Sequence, residues 1–161
     1  MKTFRTRPKR MLLGSVVTLA AVVAASAAAP AAAAPTCRAT PADSLGPYYE
    51  PNAPVRAKVG RGYVLTGTVR AAGTCRAIAR ARVELWLAGP DGEYADRYRA
   101  TIFASRTGTY RFESHFPPPY SGRPSHIHIC VTARGFRTLV TQHYPRAGTR
   151  RASFALVLRP R

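Results

Sequence analysis

Two histidines one residue apart stand in the segment YSGRPSHIHIC, residues 120–130. The β-branched residues around His126 and His128 favour a strand, and residues i and i+2 of a strand face the same side of a sheet. Their Cα atoms would lie about 6–7 Å apart at a rise of about 3.3 Å per residue. That separation lets both imidazoles bind one metal ion. The alternative interpretation is a pair of partly exposed histidines on an edge strand.

Two tyrosines and an arginine accompany this histidine pair. Tyr120 follows three prolines, Arg123 precedes His126 by three residues, and Tyr94 comes just after a Pro-Asp-Gly turn. A phenolate is a hard anionic ligand that suits Fe(III), and imidazole suits iron as well. Two tyrosines and two histidines would offset two of the three ferric charges and leave room for a substrate. These residues therefore predict a non-haem iron site.

The segments that must position these side chains are short and alternate in hydrophobicity. In one of them Val83, Leu85 and Leu87 would line one face, with Glu84 and Trp86 on the other. No segment after residue 34 has helical spacing. Short strands about ten residues apart, separated by Gly/Pro turns, predict an all-β fold, an antiparallel β-sandwich. The predicted strands cover residues 63–69, 81–87, 100–105, 109–114, 125–132, 136–142 and 153–158.

The first 34 residues have the pattern of a secretory signal peptide. Five basic residues precede an alanine-rich apolar stretch, and Ala32-Ala33-Ala34 offers a small-x-small cleavage site. A membrane anchor is the alternative, but no basic stop-transfer flank follows the stretch. We therefore expect a secreted, extracellular protein without stable membrane association. The predicted domains are a signal peptide (1–34), an irregular arm (35–60) and a β-sandwich (61–161).

The chain is strongly basic, with 25 Lys and Arg residues, 7 Asp and Glu residues and a net charge of +18. Removal of residues 1–34 would leave 20 basic and 7 acidic residues, a net charge of +13. Such a charge attracts anions. The arginines are nevertheless scattered through strands and loops, which favours a solvated basic surface and no nucleic-acid partner. The oligomeric state stays open, a homo-oligomer included.

All three cysteines follow the predicted signal peptide. Export makes a disulfide plausible, and an odd count leaves one thiol over. We predict that Cys37 pairs with Cys75, which stands in a turn-rich stretch. Alternation places Cys130 on the same strand face as the two histidines, where we expect a buried, reduced thiol. A third metal ligand is the alternative for Cys130, although a thiolate would suit zinc or copper better than iron.

Three longer segments carry a resemblance to a known family. They are CRATPADSLGPYYEPNAPVR, GTVRAAGTCRAIARARVELWLAGPDGEY and YRFESHFPPPYSGRPSHIHICV. Across residues 37–158 the chain resembles the intradiol ring-cleavage dioxygenases, and most of all their secreted single-domain branch. These are non-haem Fe(III) enzymes that use O₂ to open catechol-type aromatic rings between the two hydroxyls, giving muconate-type products. The resemblance also implies a prealbumin- or transthyretin-like sandwich.

The resemblance assigns roles to individual residues. The iron ligands would be Tyr94, Tyr120, His126 and His128, with Tyr94 favoured over Tyr98 by its spacing from a strand-ending tryptophan. Arg123 would stabilise negative charge on the activated catechol. Tyr120 would be displaced by the substrate and accept one of its protons.

One departure from the family affects the expected pocket. Only residues 121–125 separate Tyr120 from His126, whereas larger members have a longer insertion there. One pocket wall is therefore shorter, and Tyr48 and Tyr49 of the arm could line the pocket instead or simply pack on the sandwich. The alternative function is a non-catalytic transthyretin-like or carboxypeptidase-regulatory-like binding module. Such modules have no need of the four ligand residues together.

Overall fold

Eight strands form the part of the chain that the computed structural model describes, residues 36–161. The predicted signal peptide lies outside these residues. Each predicted strand overlaps an observed one, and 153–158 divides into two short strands. The all-β prediction is confirmed. The strands are β1 Tyr63–Ala71, β2 Arg82–Trp86, β3 Arg99–Phe103, β4 Thr109–Ser114, β5 Ile127–Thr132, β6 Leu139–His143, β7 Arg151–Ser153 and β8 Leu156–Leu158.

The strands form two four-stranded sheets. The first sheet has the order β4-β1-β7, with β8 also paired to β1, and the second has the order β3-β2-β5-β6. Every pair in the second sheet is antiparallel, as is β1 with β4. The predicted antiparallel pairing needs correction at one edge, where β7 and β8 run parallel to β1. The reason is topological, since the chain after β6 crosses from the second sheet to the first before it pairs with β1.

The core lies between the sheets and follows the period-two pattern of the strands. Leu65, Phe112, Leu85 and Ile129 are among its fully buried side chains, and they come from β1, β4, β2 and β5. Burial of one such side chain stabilises the fold by roughly 1.5–3 kcal/mol. A shift of register by one residue would turn all of them outward. The core therefore fixes which residues of β2 and β5 point away from it.

The outer face of the second sheet is buried as well. Glu84, Trp86, His128 and Cys130 point away from the core and are nevertheless almost inaccessible. Residues 36–60 cover them as an arm that contains no named strand and joins the sandwich through hydrogen bonds and isolated bridges. One such bond joins the Thr101 hydroxyl to the Ala53 carbonyl oxygen (2.7 Å). The second sheet thus has a core on one face and a covered polar layer on the other.

A disulfide fixes the start of this arm. Cys37 is bonded to Cys75 in the β1–β2 loop, as predicted, and the Gly73 N–H donates to the Cys37 carbonyl oxygen (2.9 Å). Cys130 is a buried free thiol, also as predicted. Burial raises the pKa of the Cys130 thiol to about 11, so it is protonated and unreactive near neutral pH. No helix among residues 36–161 has the length and apolar character needed to cross a membrane.

His143, at the end of β6, is part of the buried structure rather than the surface. Its Nε2 lies 2.7 Å from the Tyr63 hydroxyl oxygen, and its ring packs against Phe154. Burial lowers the pKa of His143 to about 4. The imidazole is therefore neutral in the folded protein at pH values where an unfolded chain, with a histidine pKa near 6.5, binds a proton.

The His143→Gln variant should lose part of the acid sensitivity of the fold. Because the unfolded state binds the extra proton, stability is complete above about pH 6.5 and falls as the pH drops toward 4. One such group contributes up to about 3 kcal/mol over that interval. Glutamine can still hydrogen-bond the Tyr63 hydroxyl but does not titrate. Urea unfolding of both proteins between pH 4 and 7 measures the difference, and parallel stability profiles would contradict the neutral, buried state of His143.

Candidate metal centre

The register of the second sheet places the site residues in one row on its outer face. His128 of β5 lies opposite Trp86 of β2 on one side and opposite Gln142 of β6 on the other. The Trp86 indole stacks flat on the His128 imidazole, with ring centroids 4.9 Å apart and planes inclined by 6°. His126, two residues earlier, faces the same way, so the alternation of β5 brings both imidazoles to one place.

The two imidazoles meet through their Nε2 atoms, which lie 3.1 Å apart. His126 Nδ1–H donates to the Pro124 carbonyl oxygen (2.7 Å), which leaves the lone pair on Nε2. Among residues 36–161, His128 Nδ1 is buried without a hydrogen-bond partner. Burial lowers the pKa of His126, and burial together with the neighbouring His126 and Arg123 lowers the pKa of His128 to about 4. Both rings are therefore neutral near pH 7, the state that binds metals.

Tyr94 joins this pair from the connection between β2 and β3. Its hydroxyl oxygen lies 3.4 Å from His126 Nε2, and its ring stands edge-on to His128 with centroids 5.9 Å apart. Burial, with a smaller effect of nearby Tyr120, raises the pKa of Tyr94 to about 12. A buried phenol of this kind ionises only next to a cation. Tyr98, the competing tyrosine, packs on His115 instead.

Tyr120 and Arg123 are brought together by the short segment between Tyr120 and His126. Ser121 (φ +46°) and Gly122 (φ +76°) form a tight turn, in which the Arg123 N–H donates to the Tyr120 carbonyl oxygen (2.8 Å). The Tyr120 ring stands edge-on to Tyr94, with centroids 5.4 Å apart. Its hydroxyl is hydrogen-bonded to the Tyr48 hydroxyl, and this bond raises the pKa of Tyr120. The Tyr120 hydroxyl is thus hydrogen-bonded to the arm, beside the ring of Tyr94.

A polar network fixes the Arg123 guanidinium beside the site. It donates to Gln142 Oε1 (2.8 Å) and to the Tyr144 hydroxyl oxygen (3.2 Å). The Tyr144 hydroxyl donates in turn to Asp43 Oδ2 of the arm (2.9 Å), and Gln142 Nε2 donates to the Ser44 carbonyl oxygen (2.6 Å). The guanidinium is thus a positive charge held in one orientation between the arm and the sheet.

The arm completes the site with two residues that contact the candidate ligands. The Tyr48 ring stacks face to face on Tyr94 (centroids 4.4 Å apart, planes inclined by 9°). Gly46, with φ of +72°, lies so close to His128 that a Cβ atom there would be 2.8 Å from Cε1. Tyr49 lies one layer away, against Trp86, and its hydroxyl donates to Glu84 Oε2 (3.2 Å). Tyr48 therefore lines the site, whereas Tyr49 supports its stacked indole.

Two other residues with metal-binding side chains lie away from these contacts. His115 Nε2 donates to the Ala88 carbonyl oxygen (2.8 Å). Cys130 stands opposite Glu84, one row farther along the sheet than His128. The Glu84 carboxylate forms an ion pair with Arg82 (2.9 Å). The thiol thus shares its layer with a buried ion pair rather than with the imidazoles.

The residues present fit a hard metal ion. No group of three or more His, Cys, Asp or Glu side chains in residues 36–161 could hold a metal, so a complete ligand set here needs tyrosine. The two Nε2 atoms, 3.1 Å apart, form a hydrogen bond when His128 carries its proton on Nε2. Both present lone pairs to a cation when that proton lies on the partnerless Nδ1. A cation also lets the adjacent Tyr94 phenol ionise. Two imidazoles and phenolates together suit Fe(III) among the common metals.

Comparisons with known proteins identify relatives of the chain by sequence. No protein-family model matches the chain. Chlorocatechol 1,2-dioxygenase of Pseudomonas putida is 30% identical over 137 residues, which are 64% of this chain and 52% of that protein. Hydroxyquinol 1,2-dioxygenase of Rhodococcus opacus is 31% identical over 137 residues, 64% of this chain and 45% of that protein. The chain spans about half the length of these curated relatives.

A solved structure has the same fold. The dioxygenase domain of a dioxygenase–carbohydrate-binding protein fusion from Streptomyces sp. SirexAA-E superposes with a TM-score of 0.69 at 24% identity. The match covers 77% of this chain and 100% of that domain. Together with the sequence relatives, this likeness confirms the resemblance. In sequence and in fold, the chain is similar to intradiol ring-cleavage dioxygenases.

The close approach of Gly46 to His128 predicts an effect of one added methyl group. Gly46→Ala should destabilise the fold by about 1–2 kcal/mol from the positive φ alone, and by more because its Cβ must displace the His128 ring or the arm. Gly148→Ala is the matched control, since Gly148 has φ of +78° and no atom within 4 Å of the added Cβ. Urea unfolding measures both losses, and the NMR resonance of His128 Cε1–H reports the ring. Equal losses with an unshifted resonance would contradict the contact.

Proposed function

We propose that the protein is an Fe(III)-dependent dioxygenase that cleaves a catechol-type ring between its two hydroxyl-bearing carbons. Both atoms of O₂ enter the product, O₂ is reduced, and the two ring carbons are oxidised to the carboxyl groups of a muconate-type diacid. The observation that carries the proposal is the convergence of Tyr94, His126 and His128, with contacts of 3.4 and 3.1 Å. Chlorocatechol and hydroxyquinol, which the relatives' names give as substrates, define the class of ring to test.

Tyr94, Tyr120, His126 and His128 would hold the ion. Bound there, Fe(III) supplies a Lewis acid that favours ionisation of the catechol hydroxyls and a redox centre for the reaction with O₂. The protein contributes two neutral imidazoles whose orientation is fixed by Pro124 and Trp86. Such outer contacts set the orientation and basicity of metal-binding histidines.

Arg123 would stabilise the negative charge that accumulates on the substrate oxygens. Its guanidinium is already oriented by Gln142 and Tyr144, so little reorganisation is needed when charge develops.

Tyr120 would hold the ion as a phenolate, and its Oη atom would accept one proton from the catechol. Its hydroxyl is hydrogen-bonded to Tyr48, so Tyr48 can hold the Tyr120 side chain in place while the substrate takes up the site. Tyr48 also stacks on Tyr94 and thereby forms one wall beside the ring-binding space. The arm would thus replace part of the wall that the short 121–125 segment leaves out.

The non-catalytic binding module is the competing function. A transthyretin-like sandwich would stabilise its outer sheet face with apolar residues or a partner, and it would gain nothing from facing Nε2 atoms and an orphaned His128 Nδ1. A buried polar atom without a partner lowers stability. The partnerless His128 Nδ1 beside the candidate ligands therefore favours the metalloenzyme.

Three variants of the purified protein test this function. The unmodified protein should contain about one iron atom per chain, show a visible band of iron–tyrosinate, and consume O₂ with catechol, chlorocatechol or hydroxyquinol. His126→Ala should lose iron and colour, because three remaining ligands hold a hard ion poorly against water. Arg123→Gln should keep both but turn over about 10²–10³-fold more slowly, the loss typical of one charge-stabilising donor.

Arg146→Gln is the matched control for the arginine, since Arg146 is exposed on the β6–β7 loop. It should leave iron content and rate unchanged. Full iron and colour in His126→Ala would overturn the metal site and favour the binding module. Iron binding without O₂ uptake on any of the three catechols would leave the metal site standing and overturn the assigned reaction.

We also propose that the protein is exported and cleaved after Ala34. The basic, then alanine-rich pattern of residues 1–34 supports this, and so does the Cys37–Cys75 disulfide, because disulfides persist in oxidising compartments. Amino-terminal sequencing of protein recovered from the culture medium should begin at Pro35. Recovery of the intact chain with the cells alone would contradict export.

A further inference from the structure

Seven exposed arginines lie at the end of the sandwich away from the candidate metal centre. They belong to four neighbouring segments, the β1–β2, β3–β4 and β5–β6 loops and the residues after β8. We call this surface the arginine cap. Its members are Arg76, Arg80, Arg106, Arg134, Arg137, Arg159 and Arg161.

Backbone contacts join these segments into one surface. The Arg137 N–H donates to the Arg159 carbonyl oxygen (2.9 Å), which joins the β5–β6 loop to the residues after β8. The Arg80 N–H donates to a carbonyl oxygen of the β3–β4 loop (3.0 Å). A shallow groove of about 450 Å³ lies between Arg76 and Phe136. The segments that carry these arginines therefore form one continuous surface.

The arginine cap contains no acidic residue to neutralise it. Residues 72–81, 104–108, 133–138 and 159–160 include neither Asp nor Glu. Five of the seven acidic residues belong to the arm or to the β2–β3 connection, near the metal centre, and the other two form ion pairs with Arg82 and Lys58. The acidic residues are Asp43, Glu50, Glu84, Asp91, Glu93, Asp96 and Glu113.

The metal centre and the arginine cap lie at opposite ends of the same strand. His126 precedes the first residue of β5, and Arg134 follows its last residue, Thr132. Six residues at about 3.3 Å each separate the two ends by about 20 Å. An anion bound at the cap therefore touches no residue of the candidate site.

We propose that the arginine cap is a docking surface for a linear, base-free polymer whose units are joined by phosphodiesters. Unpaired arginines on adjacent loops create a positive potential that attracts a polyanion. The planar guanidinium donates pairs of hydrogen bonds that match phosphate oxygens. A flexible chain can bring successive phosphates to arginines on different loops. With the polymer bound at the arginine cap, the candidate metal centre at the opposite end of the sandwich would point away from the polymer.

The exposed side chains of this surface argue against two other polyanions. Single-stranded nucleic acid is bound with successive aromatic rings on which bases stack. Among residues 36–161 the exposed large hydrophobic side chains are Leu45, Val55, Phe103 and Tyr144, and only Phe103 adjoins the cap. A lipid bilayer would require several apolar side chains that insert below the headgroups. The single exposed ring of Phe103 provides neither a series of stacking platforms nor a membrane-inserting surface. Binding at the cap must therefore come from electrostatic attraction.

Fluorescence anisotropy with a labelled poly(glycerol phosphate) chain tests the proposal on the purified protein. The unmodified protein should bind the chain, with an affinity that falls steeply as salt is added. The variant Arg134→Gln/Arg137→Gln/Arg159→Gln removes three contacts. For a single-stranded polyanion, each arginine–phosphate contact strengthens binding about 5-fold when the salt concentration is lowered from 1 M to 0.1 M, because counterions are released. The variant should therefore bind about 100-fold more weakly at 0.1 M salt, with a log–log salt slope smaller by about 2.

The matched control is Arg146→Gln/Arg150→Gln/Arg151→Gln, which removes the same charge from exposed arginines at the opposite end of the sandwich. Arg150 lies there because its carbonyl oxygen accepts a hydrogen bond from the Val64 N–H (3.0 Å), at the start of β1. The control variant should retain binding within about 3-fold, since no contact is lost. An equal loss in both variants would overturn the cap as the binding surface. Tighter binding of single-stranded poly(dT) or of anionic phospholipid vesicles, lost in the cap variant, would assign the surface to nucleic acid or membrane instead. Circular dichroism of each variant detects misfolding. Iron content and O₂ uptake of the same samples test the proposed activity independently of polymer binding.

Discussion

The alternation of β5 is the constraint on which the rest of the structure depends. Ile127, Ile129 and Val131 turn into the core, and this forces His126 and His128 to the outer face. The hydrophobic core therefore sets the position of the imidazoles, because any change of register would exchange the two sets of side chains. A polar site on the outer face remains buried only if something covers it. The arm of residues 36–60 is that cover, and the stacked rings of Trp86 and His128 are buried beneath it.

The covered face makes the candidate site unusually dependent on residues distant in sequence. The guanidinium of Arg123 is oriented by Gln142, Tyr144 and, through Tyr144, by Asp43 of the arm. Tyr48 contacts both candidate tyrosine ligands. The arm is therefore a functional part of the sandwich rather than a linker that precedes it. Loss of its attachment would expose the imidazoles and free the arginine at the same time.

Sequence alone predicts the local features because they follow from period-two patterning and from short motifs. The strands, the all-β class, the disulfide and the family were accessible in this way. The parallel pairing of β7 and β8 with β1 was not, since it depends on how the chain crosses between sheets. The contact of Gly46 with His128 and the orientation of Arg123 by Gln142 also carry no local signal, because these partners are 82 and 19 residues apart. Their recognition requires the register of three strands and the path of the arm.

The pairing of β1 with β7 and β8 has a consequence for how the protein folds. Val64 pairs with Arg151, and Val69 pairs with Leu156. One edge of the first sheet therefore forms only after residues 87 positions later in the chain have been synthesised. Closure of such large loops costs chain entropy before any contact is gained, and folds rich in non-local pairs form slowly. We expect a nascent chain shorter than about 150 residues to lack a closed core. During synthesis the first sheet therefore cannot be completed until residues 151–158 have left the ribosome.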